Sequence, residues 1–111
     1  MTTTLIKSKC FKIAHNRGKP RVWIEGKFLI EAGIKRGQHF SKSIEDNTMR
    51  LELDEDGRHT VAGTEARPII DLNGKYLIDL FKGCSHYWAQ IYSRSGFEDN
   101  SKLIYIEGLE L

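Results

Sequence analysis

Ile24-Glu25-Gly26-Lys27-Phe28-Leu29-Ile30-Glu31 returns 48 positions later as Leu72-Asn73-Gly74-Lys75-Tyr76-Leu77-Ile78-Asp79. Gly26/Gly74, Lys27/Lys75, Leu29/Leu77 and Ile30/Ile78 are identical, and Ile24/Leu72, Phe28/Tyr76 and Glu31/Asp79 are similar. Two copies are too few to stack as a solenoid. They point instead to one pseudo-twofold domain, in effect an isologous dimer fused into a single chain, in which each half completes the core of the other. The reading is a single domain over residues 1–111, with pseudo-repeats at about 9–55 and about 58–107.

Each copy of the motif is expected to sit between strands. Cys10 to Ala14 alternates apolar and polar, Asn16-Arg17-Gly18-Lys19-Pro20 is a turn cluster, and Arg21 to Ile24 resumes strand character, which predicts a β-hairpin. Phe28, Leu29, Ala32 and Ile34 then trace a short amphipathic helix closed by Gly33, whose residue type suits a left-handed C-terminal position. Gln38 to Ile44 and Met49 to Leu53 read as strands joined through Glu45-Asp46-Asn47, and Asp54 to Gly57 turns the chain into a strand at His59 to Ala62. After the second motif come strands at Tyr87 to Tyr92 and Leu103 to Ile106. The expected class is mainly β with two short helices.

The 111 residues carry 17 Lys+Arg against 15 Asp+Glu. The resulting +2 conceals a gradient, since Met1 to Lys42 alone is net +8 while the rest of the chain is acidic. A basic N-terminal third is a candidate polyanion-binding surface, because clustered Lys and Arg release counterions when they meet phosphates. No apolar run approaches the roughly 20 residues that span a bilayer, and no signal-peptide pattern opens the chain, so a cytoplasmic protein without membrane contact is expected. In that compartment Cys10 and Cys84 are expected to be free thiols.

Arg21-Val22-Trp23-Ile24, with Gly26-Lys27-x-Leu29-x-x-Ala32-Gly33-Ile34-x-x-Gly37 after it, resembles the core motif of the AbrB/SpoVT-like swapped-hairpin proteins, most of all their SymE-like branch. The second half is a degenerate version of the same pattern. The resemblance implies a small swapped-hairpin β-barrel of two tandem pseudo-repeats that binds DNA or RNA. Its expected role is a bacterial or phage transcription regulator or toxin-antitoxin component, nucleoid-associated when on DNA and able to pair as a homodimer. The positions that match the family's nucleic-acid-facing residues are Arg17, Lys19 and Arg21, with Lys27, Lys35 and Arg36 extending the set. The sequence departs from the pattern at Leu29 and Ile30, where the repressors often carry arginines, and at Ile69, which stands where Arg21 stands in the first half.

A second reading makes the chain a protein-binding module, for instance a mobile-element or phage-encoded inhibitor of a host factor. Its contacts would be Tyr87, Trp88, Tyr92 and Phe97, since aromatic residues concentrate at binding hot spots. Catalytic patterns are scarce. His15, His39, His59 and His86 are scattered singly without metal-ligand spacing, and Cys84-Ser85-His86 lacks an orienting acid. No phosphate-binding glycine loop occurs. The expectation is therefore a non-enzyme with no catalytic residue, metal or cofactor; a SymE-like nuclease activity would have no identifiable active residues here.

Overall fold

Alternating apolar residues and two-residue turns shape most of the chain. The computed structural model describes residues 2–95 and 101–110. In chain order the elements are β1 (Thr2–Lys12), β2 (Ala14–Asn16), β3 (Lys19–Glu25), α1 (Lys27–Glu31), β4 (His39–Glu45), β5 (Thr48–Leu53), β6 (His59–Thr60), β7 (Ala62–Gly63), β8 (Pro68–Asn73), α2 (Tyr76–Leu80), β9 (His86–Ser95) and β10 (Ser101–Leu109). The β2–β3 hairpin turns at Arg17 and Gly18 and the β4–β5 hairpin at Asp46 and Asn47, all four with positive φ. That left-handed pair matches the natural twist of the flanking strands. No helix among the described residues is long and apolar enough to cross a membrane.

The strands form two antiparallel sheets, ordered β1-β9-β10-β5-β4-β6 and β2-β3-β8-β7. Both are open, and neither closes on itself into a barrel. At Ile13 and Val61 an otherwise continuous strand leaves one sheet for the other. Ile13 donates its N–H to Ser85 O, and Val61 donates to Gln38 O. The expected pairing of Cys10 to Ala14 with Arg21 to Ile24 is therefore only partly present. Ala14 pairs with Arg21, whereas Cys10 pairs with Trp88 in the larger sheet.

Both sheet orders read the same from either end once the corresponding elements of the two halves are equated. Ala14 pairs with Arg21 as Ala62 pairs with Ile69, the same pair one offset along. In the middle of the smaller sheet Trp23 pairs with Asp71, its own counterpart. The leading strand of each half pairs with the other half, β1 with β9 and β6 with β4. A stacked Phe11–Tyr87 pair, 5.4 Å between centroids, has its equivalent in His59 on Phe40 at 5.2 Å.

The core lies between the sheets. Val22, Ile24, Ile70 and Leu72 from the smaller sheet meet Leu51, Tyr87, Ala89, Ile91, Ile104 and Ile106 from the larger one, and all are buried. Each large apolar side chain so buried contributes roughly 1.5–3 kcal/mol. Five-residue helices are too short to persist alone, and α1 is held by burial of Phe28 and Leu29. It ends as its residue types predict. Gly33, with φ 77°, donates its N–H to Ile30 O, and Ile34 donates to Leu29 O while its side chain enters the core.

Candidate nucleic-acid interface

The β2–β3 turn projects Arg17 and Lys19 into solvent, and neither takes part in an ion pair among the described residues. Two residues further along β3, Arg21 is in a different state. It lies on the outer face of the smaller sheet, where its Nε and Nη2 donate to the two carboxylate oxygens of Asp71 at 2.7 Å each. Its guanidinium stacks over Trp23, 4.5 Å from the ring centroid. The hydrogen bonds to Asp71 hold the guanidinium in its charged form and offset that charge locally. A similar pair, Arg67 Nη2 to Glu25 at 2.7 Å, lies across the same face, and Arg67 holds the Glu25 carboxyl below its usual range.

Lys27 opens α1, and Lys35 and Arg36 lie in the loop that follows it; all three are exposed. Lys35 and Arg36 have no ion-pair partner among the described residues, whereas Glu31, one turn from Lys27, is taken by Lys7 at 2.6 Å. Arg21 and Lys27 are six residues apart along one extended strand and its end, roughly 20 Å at the usual rise per residue. The six expected contact residues therefore fall into two groups at opposite ends of β3. Arg17, Lys19 and the restrained Arg21 form one, and Lys27, Lys35 and Arg36 the other.

The aromatic candidates also divide. Tyr87 is buried rather than exposed. It is 1% exposed, stacked between Phe11 and Phe81, with its hydroxyl 3.5 Å from Trp23 O, and burial pushes its phenol well up. Residues of β9 alternate across the sheet, so Tyr87, Ala89 and Ile91 enter the core while Trp88 and Tyr92 face away, half-buried. Phe97 lies outside the described residues. On that outer face Tyr92 meets Tyr105 edge-on at 5.6 Å, and Leu103 is buried apart from the main core. Glu52 binds Arg94 at 2.5 Å and approaches Arg50 at 3.5 Å on the same side.

Sequence reasoning missed Asp71 and Tyr105. Asp71 is 50 residues from Arg21, and only the repeat offset, which equates it with Trp23, hinted that the two strands meet. Among the described residues no group of three His, Cys, Asp or Glu side chains is placed to hold a metal ion. Elsewhere Lys42 sits 3.5 Å above the Tyr76 ring, and burial lowers its ammonium from the ordinary lysine value. What the exposed cations can do chemically is exchange their counterions for phosphate oxygens, without base recognition. No protein-family model, curated protein or solved structure matches the chain.

Proposed function

We propose that this chain is a nucleic-acid-binding protein of the AbrB/SymE-like kind, acting in the cytoplasm as a transcription regulator or toxin-antitoxin component. The observation that carries the reading is the β2–β3 turn, whose Arg17 and Lys19 stand exposed and unpaired in the segment that resembles the family motif. The palindromic strand orders support a second element of it, that two swapped-hairpin halves have been joined head to tail. The two open sheets would then be a relaxed form of the family's barrel. In this reading the protein holds nucleic acid through its backbone and performs no chemistry on it.

The test is fluorescence anisotropy of labelled duplex DNA and of RNA, titrated with protein at salt concentrations from about 50 to 200 mM. Binding that weakens steeply with salt, and that Arg17→Glu with Lys19→Glu abolishes, is the expected result. An intact fold with no binding at the lowest salt would end the proposal. A second reading, a protein partner, is favoured by Trp88, Tyr92 and Tyr105 on the outer face of the larger sheet. It predicts instead that Trp88→Ala and Tyr92→Ala together remove the activity while the hairpin charge reversals spare it.

A further inference from the structure

The N-terminal third holds most of the positive charge, yet the fold does not keep the two halves apart. Arg21 pairs with Asn73, so the β2–β3 turn lies beside the start of α2 and the Lys75 that precedes it. Ile13, next to the start of β2, is hydrogen-bonded to Ser85 in the turn after α2, and Lys12 pairs with His86. Lys82 is in that same turn. Lys75 immediately precedes α2 and Lys82 lies just beyond its end, and both are exposed, while Leu77, Leu80 and Phe81 turn inward. Neither lysine has an ion-pair partner among the described residues. Of the nearby carboxylates, Asp71 is occupied by Arg21, which leaves Asp79 on α2 as the near counter-charge.

We propose that Arg17 and Lys19 of the first half join Lys75 and Lys82 of the second in one composite patch that grips a phosphodiester backbone. This rests on the nucleic-acid reading and adds that the acidic half of the sequence supplies part of the site. Lys27, Lys35 and Arg36, at the far end of β3, are outside the patch. The chemistry is that of point charges on phosphate oxygens, shared by DNA and RNA.

The experiment is the salt-dependent anisotropy titration run on wild type, on Lys75→Glu/Lys82→Glu and on Lys27→Glu/Lys35→Glu/Arg36→Glu, each with a short DNA duplex and a short RNA duplex. Circular dichroism checks folding, with Lys75→Gln/Lys82→Gln as the milder replacement if the reversal unfolds. The patch predicts at least about a tenfold loss for the Lys75/Lys82 variant at low salt. It also predicts a log–log salt slope shallower by about 2, close to 0.9 per lost contact, and, for the Lys27/Lys35/Arg36 variant, a smaller loss and a slope nearer that of wild type although it reverses more charge; an equal or larger loss there overturns the patch. Equal losses on DNA and RNA support backbone contact, and a loss confined to one of them overturns it. If the Lys75/Lys82 variant binds like wild type while Arg17→Glu/Lys19→Glu does not, the composite patch is wrong and the nucleic-acid reading stands. If wild type binds neither duplex, that reading itself falls.

Discussion

With both carboxylate oxygens of Asp71 on its guanidinium and Trp23 beneath it, Arg21 offers little uncompensated charge to a polyanion. Replacing Asp71 by Asn removes the counter-charge and keeps the shape. On the nucleic-acid reading affinity then rises severalfold and the salt slope steepens by about 0.9, as one more phosphate contact forms. Both partners are about a quarter exposed, so the change should lower stability by no more than about 1 kcal/mol. At Gly33 the constraint is the backbone. A Cβ there would meet only Lys102 Cε at 3.7 Å, an ordinary contact, but φ is 77°. Gly33→Ala is therefore expected to cost about 1 kcal/mol in urea unfolding, through the left-handed conformation alone. His59, stacked on Phe40, is held below its ordinary value of 6.5 by burial first and by Lys42 and Arg58 next. A folded state that binds this proton less tightly than the unfolded chain loses stability as pH falls below about 6.5. A melting temperature that declines from there, with the decline reduced in His59→Phe, is the expected profile. Glu25 and Glu31, lowered by Arg67 and Lys7, add their own loss only at more acid pH.

At the scale of the strand, β9 shows how far a one-residue difference reaches. Tyr87→Ala empties a position between two stacked rings and should cost about 3–5 kcal/mol. Trp88→Ala, next in sequence on the opposite face and half-buried, opens no sealed cavity and should cost less than Tyr87→Ala, and urea titration of the two variants reads the contrast directly. Apolar-rich segments bounded by turn residues made β4, β5, β9 and β10 legible, and Gly33 marked the end of α1. Two features were not legible. Thr2 to Lys9 shows no alternation that would announce an 11-residue β1, because its order comes from pairing with β9 rather than from its own pattern. The departures at Ile13 and Val61 are equally silent, since an apolar residue suits a strand interior as well as a crossing between sheets. The same limit governed the aromatic candidates. Tyr87 and Trp88 share a residue class, and only the register of β9 against β1 and β10 tells which of them enters the core.

The whole molecule depends on exchange between its halves. β1 and β3 find their principal partners, β9 and β8, beyond residue 57. A fragment of residues 1–57 is therefore expected to lack strand signal in far-ultraviolet circular dichroism, and mixing it with residues 58–111 should restore the spectrum. An ordered, monomeric 1–57 would contradict the interdependence. The repeat in sequence foreshadowed two related halves, but which strands they trade depends on pairings far apart in the chain, Glu25 with Ile69 and Thr2 with Ser95 among them, which no local pattern encodes. The pairing of Thr2 with Ser95 and of Lys12 with His86 also bears on how the chain is made. On the ribosome β1 emerges well before β9, its neighbour in the sheet, with the whole of β2 to β8 between them. Such distant closure makes for slow folding and a long interval in which a bare strand could pair with the wrong molecule. Lys7, Lys9 and Lys12, spaced along that strand, repel a second copy during the wait.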